Sequence, residues 1–90
     1  MSRLVLPQVL RPEAGGAASV EVDASTVGEA IDRLVARHPG LRDRLLTPEG
    51  AIHRFVNLYL NGEDVRYLGG LEARVAAGDE IRLLPAIAGG

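Results

Sequence analysis

The stretch from Thr26 to Gly40 restricts the fold more than any other part of the chain. Thr26 followed three positions later by Glu29 is a capping box, the N-terminal signature of a helix. Val27, Ile31 and Leu34, with Ala30 and Val35 beside them, then form one apolar stripe at helical spacing. Arg37 and His38 fall in the last turn, where positive charge suits the helix dipole, and Pro39-Gly40 stops the helix. A helix with a single apolar stripe needs another layer to cover it. The flanking segments alternate with a period of two, so that layer is a sheet.

On the N-terminal side, residues 4–10 are apolar except Gln8, and Pro7 interrupts them. Proline donates no ladder hydrogen bond, so this reads as an edge-type strand from Leu4 to Leu10. Arg11 to Gly16 is turn material, and Ser19 to Asp23 alternates polar and apolar, which predicts a hairpin with the first strand. On the C-terminal side, Leu41 to Leu46 suits a short second helix and Thr47 to Gly50 a loop. A strand over Arg54 to Leu60 places Val56, Leu58 and Leu60 on one face and Phe55, Asn57 and Tyr59 on the other. Asn61-Gly62 is a strong hairpin-turn signal. Val65 to Leu68 suits a short strand, and Ala76 to Asp79 turns the chain into a last strand, Glu80 to Leu84. The Gly15-Gly16 and Gly69-Gly70 pairs lack the strand-to-helix setting of a phosphate loop and read as turns. The order ββαββ, with a right-handed crossover through the helix and a last strand returning beside the first, is the β-grasp arrangement. It is an α+β fold with a mixed sheet and one main helix across it.

Ninety residues suffice for one domain, since chains near this size bury about 60–70% of their unfolded surface. The hydrophobic share of 47% is almost wholly aliphatic, so an aliphatic core is expected. We assign residues 1–85 to the β-grasp body and 86–90 to a C-terminal tail. The net charge of −2 arises from interspersed acids and arginines, with no basic, aromatic-laced run for nucleic acid. No apolar run approaches a membrane span and the first residues lack a signal peptide, so the expected location is cytoplasmic. There is no cysteine, which removes disulfides, thiolate ligands and a cysteine nucleophile together. All ten cationic side chains are arginine and none is lysine, so no side-chain ammonium is available for isopeptide attachment; GC-rich codon usage alone gives the same bias. His38 and His53 have no ligand-spaced partner and read as solvated histidines. Ser19, Ser25 and Thr26 have no histidine and acid arranged for nucleophilic work.

The last segment, Pro85-Ala86-Ile87-Ala88-Gly89-Gly90, is uncharged, small in side chain and closes on two glycines. Five residues beyond Pro85 reach about 16–18 Å when extended, enough to carry a carboxylate deep into a partner's cleft. Gly89 and Gly90 lack Cβ atoms, so they pass a narrow channel and leave the carboxyl carbon open to attack. An α-carboxyl with a pKa of about 3.3–3.7 is ionised at neutral pH and a poor electrophile. An ATP-dependent partner that forms an acyl-adenylate on Gly90 creates a good leaving group, and a sulfur nucleophile then leaves a thiocarboxylate. A frayed end without function has the same bare composition; the strand order ahead of it sets this tail apart.

The span His53 to Arg66, the turn and strand Ala77-Gly78-Asp79-Glu80-Ile81, and the close Leu84 to Gly90 resemble the MoaD/ThiS family of ubiquitin-like sulfur carriers. Its CysO-type branch is similar through Leu10-Arg11-Pro12, His53 to Asn57, Glu63 to Arg66 and Gly69-Gly70-Leu71. The resemblance implies a carrier rather than an enzyme, with Gly90 bearing the sulfur and no bound cofactor. It also implies that an E1-like partner consumes ATP in adenylating Gly90. Further partners it implies are a sulfur donor such as a rhodanese and an acceptor such as a PLP-dependent cysteine synthase. Phe55, Tyr59 and Leu84, with Arg54 and Asn57 nearby, suggest a docking patch on the outer sheet face, and Ile87 and Ala88 would lie against the partner's channel. Two further roles suit the same tail: the small subunit of a molybdopterin synthase, seated in a MoaE-like subunit, and a protein modifier whose Gly90 becomes amide-linked to lysines. An ordinary interaction domain would need neither glycine.

Overall fold

The computed structural model describes residues 1–85. Its five strands are β1 (Ser2–Val5), β2 (Ser19–Val22), β3 (Val56–Leu60), β4 (Glu63–Asp64) and β5 (Glu80–Pro85), in the sheet order β2-β1-β5-β3-β4. Strands β1 and β5 run parallel, with Leu4 opposite Ile81, and the other pairings are antiparallel. The main helix α1 (Val27–Arg37) makes the crossover between β2 and the second half of the sheet, and a one-turn helix α2 (Arg42–Leu45) follows. This is the expected β-grasp, with the two-residue strand β4 at one edge.

The capping box forms as read. The Glu29 N–H donates to Thr26 Oγ1 at 3.1 Å, while Glu29 Oε1 accepts the Ser25 N–H at 2.8 Å, one residue before the cap itself. All five stripe residues of α1 are buried. They meet Leu4, Val20, Val22, Leu58, Leu60, Ile81 and Leu83 from the sheet in one aliphatic core, which Leu41 and Leu45 close at one end.

Three expectations are corrected. The first strand ends at Val5, and the chain enters a 3₁₀ helix over Gln8–Ala14 that contains Pro12. Pro7, with φ −69°, removes the next donor, and the apolar run divides into exposed Val9 and buried Leu10. Strand β1 is also interior, between β2 and β5, because Pro7 lies beyond its paired residues. In place of the strand at Val65–Leu68, β4 precedes it at Glu63–Asp64 and Val65–Tyr67 is a 3₁₀ turn, capped by Asp64 Oδ1 accepting the Arg66 N–H at 2.9 Å. Asn61 at φ 51° and Gly62 at φ 89° give the two left-handed residues that a tight hairpin turn needs.

Candidate functional site

Strand β5 presents the site. Alternation buries Ile81 and Leu83 under α1 and turns Arg82 and Leu84 outward. Its last residue, Pro85, is exposed, and Val56 of β3 lies opposite it in register. The chain therefore leaves the sheet at its surface, at the end of β5 remote from the Ala76–Asp79 turn. The residues expected to carry the chemistry and line the partner's channel, Ile87, Ala88, Gly89 and Gly90, lie outside the described residues.

A groove of about 280 Å³ flanks the foot of β5. Its walls come from four parts of the chain: Pro7, Val9 and Leu10 from the first loop, Asp43 and Arg44 from α2, His53, Phe55 and Val56 from the approach to β3, and Leu84 with Pro85. Val9 is 62% exposed, Phe55 47% and Leu84 39%, so three large apolar side chains meet solvent at one place. Surface apolar residues scattered singly need no explanation, whereas a cluster in a concavity is a binding feature.

Phe55 is not on the sheet as expected. It precedes β3, because its N–H donates to His53 Nδ1 at 3.2 Å and the Val56 N–H donates to the His53 carbonyl at 2.9 Å. This turn stacks the His53 ring on Phe55 at 5.0 Å between centroids, and the Arg54 guanidinium lies over the same ring at 5.2 Å. His53 is thus a half-buried turn-forming residue rather than a solvated one. The structure brings Phe55 and Leu84 to one groove and leaves Tyr59 apart. Tyr59 sits on the outer face opposite Arg82 and Asp64 in register, two residues along β3 from Asn57, the partner of Leu84.

Sequence reading missed Pro7 and Val9. Their apolar character suggested a strand, and nothing in one sequence says that the run would break and turn one residue outward. Beside Asn57 and Tyr59 the outer face carries charged residues. Glu80 accepts from Arg3 at 3.1 Å and from Arg82 at 3.2 Å, and these partners, Arg3 first, hold its carboxyl below the usual range. Among the described residues, no group of three His, Asp or Glu side chains could hold a metal ion. Nor, among them, is any helix long and apolar enough to cross a membrane. What the arrangement offers chemically is a rigid, aliphatic-cored body with an apolar groove at the point where its tail departs.

Comparison with known proteins agrees with this geometry. The ThiS family pattern matches residues 4–90. The sulfur carrier protein CysO of Mycobacterium tuberculosis is 47% identical over 87 residues, 94% of each chain. In the crystal structure of the Amycolatopsis orientalis BexX/CysO complex, a chain 48% identical to this one superposes with a TM-score of 0.91, covering all of both. Small archaeal modifier protein 1 of Haloferax volcanii is 38% identical over 81 residues, 87% of this chain and 88% of that one. Its crystal structure gives a TM-score of 0.84 at 36% identity, covering 99% of this chain and 98% of that one. By sequence, strand order and shape, the chain belongs to the ThiS family of β-grasp sulfur carriers.

Proposed function

We propose that Gly90 is the working end of this carrier and that the folded body exists to present it. Gly89 supplies the slender approach, and Ile87 and Ala88 contact the walls of the partner's channel. An E1-like enzyme joins the Gly90 carboxylate to AMP at the expense of ATP, with pyrophosphate released. The terminal persulfide sulfur of a donor such as a rhodanese then attacks the acyl carbon and expels AMP, and a thiol reductant cleaves the resulting acyl disulfide to leave the thiocarboxylate. A biosynthetic enzyme, such as a PLP-dependent cysteine synthase, accepts the sulfur. The chain is a co-substrate of these enzymes, holds no cofactor of its own, and works in the cytoplasm, where its ATP-using partner operates.

One observation carries this reading: in a chain so close to CysO, β5 delivers its terminus to the surface at Pro85, beside a groove of exposed apolar side chains. The BexX/CysO complex supports a carrier engaged with a partner enzyme, here through Phe55 and Leu84. Tyr59 belongs to a separate part of the outer face and contributes less to such docking.

The test is intact-mass spectrometry after incubation with the activating enzyme, ATP and a sulfur source. One oxygen at the C-terminus should be replaced by sulfur, and a chain lacking Gly89 and Gly90 should fold normally but acquire none. An unmodified terminus on the full chain, with the enzyme active on its own carrier, counts against the assignment. The likeness to small archaeal modifier protein 1 favours a second outcome, amide transfer of Gly90 to lysines of other proteins. That would appear as a ladder on immunoblots that thiol treatment does not remove.

A further inference from the structure

An activated acyl end is a hazard to the protein that carries it, because any free amine within reach attacks it. Attack forms a C–N bond at the Gly90 carbonyl, breaks the bond to AMP or sulfur, and releases a proton to solvent. Three cationic side chains surround the root of the tail. Arg82 lies three residues before Pro85 on the same strand and points outward. Arg54 lies two residues before Val56, the register partner of Pro85, and Arg44 lines the same groove as Pro85. Strand spacing places Arg82 roughly 10 Å from the root, and Arg54, in the turn before β3, lies at most about 7 Å along the chain from Val56, both well inside the ~16–18 Å that five residues span.

All of these cations are arginine, and the ninety residues contain no lysine. The distinction is chemical. At pH 8 a lysine with pKa about 10.4 is roughly 0.4% free amine, whereas a guanidinium with pKa above 12 is deprotonated about a hundredfold less or lower still. The α-amine of Met1 is remote. The Gly78 N–H holds the Met1 carbonyl at 2.8 Å, and the β1–β5 register puts Met1 level with that turn, seven residues behind Pro85. At strand rise that is about 23 Å, beyond the tail's span.

We propose that arginine at 44, 54 and 82 is a specificity feature: it sets cations near the tail's root, Arg44 paired with Glu13 and Arg82 with Glu80, without a primary amine, so the activated end forms no amide with its own body. The proposal rests on Gly90 being activated, but its test does not use the activating enzyme, so the two fail separately. The full chain, Arg54→Lys and Arg82→Lys are each prepared with a C-terminal thioester by thiol cleavage of an intein fusion and held at pH 8. The native chain should only hydrolyse. The lysine variants should yield a product lighter than the hydrolysed acid by one water, with the link mapped to position 54 or 82 by fragmentation. A short tether gives an effective concentration of about millimolar, so this product should form at a rate independent of protein concentration and at least about tenfold above native. Circular dichroism verifies that each variant is folded. The proposal stands if native chain only hydrolyses and either variant closes on itself. It is overturned if native chain closes at a comparable rate, or if both folded variants only hydrolyse.

Discussion

Asp79 closes the turn into β5 with two hydrogen bonds, from the Ala76 N–H at 2.8 Å and from Asn61 Nδ2 at 3.1 Å. The Ala76 bond is the larger cause and the Asn61 bond the second, and together they hold the Asp79 carboxyl below its ordinary value of 3.8. Asp64, bonded by Arg66 through its side chain and then its backbone, is depressed in the same way. A carboxyl that is more acidic folded than unfolded contributes stability above its unfolded pKa and loses it as pH falls through the folded one. Urea titrations should therefore show stability flat from neutral pH to about 5 and falling below pH 4. Asp79→Asn should be less stable at pH 7 and show a smaller acid loss; an unchanged pH profile would falsify the assignment. Asn61 was legible from sequence as a turn residue. Its cross-links to Asp79 and to the Glu80 N–H, which its Oδ1 accepts at 3.0 Å, were not, because they join positions 18 and 19 residues away.

At the scale of elements, α1 is the segment in which every local signal agrees: cap, stripe, terminal charge and stop. Thr26→Ala removes the acceptor for the Glu29 N–H and should cost about 1 kcal/mol, measured by urea unfolding. It should leave activation of the tail untouched, since the cap lies far along the chain from β5. The elements that sequence reading misplaced are those whose local signals conflict. Residues 4–10 have strand-like composition, but Pro7 withholds a donor and the following turn satisfies its groups internally, the Leu10 N–H donating to the Pro7 carbonyl at 3.0 Å. At Val65 the side chain is strand-like, while Asp64 captures the Arg66 N–H and curls the backbone away. Apolar identity alone does not distinguish a residue paired in a sheet from one buried by a tight turn.

For the whole molecule, burial and display are divided along β5. Its inward residues Ile81 and Leu83 are fully buried and fasten the strand, so the outward Leu84 and the exposed Pro85 are held in fixed position beside Phe55 and Val9. Leu84→Arg and Phe55→Arg should therefore raise KM for the carrier with its activating enzyme by roughly tenfold or more, the effect of losing an interface anchor worth about 1.4 kcal/mol or more. Neither should alter kcat much, and Tyr59→Arg should change KM less, because Tyr59 lies outside the groove. Equal effects at all three positions would point instead to docking over the entire outer face. The sequence by itself determined the helix and its buried stripe, the hairpin turn at Asn61-Gly62, the β-grasp order and the glycine-ended tail. Each is a matter of local backbone preference or of short-period patterning that one stretch of chain carries alone. Only the tertiary structure decided that β1 stops at Val5, that Pro7 and Val9 join Phe55 and Leu84, and that Tyr59 does not. Those outcomes depend on strand pairing and on contacts between residues tens of positions apart, which no local pattern records.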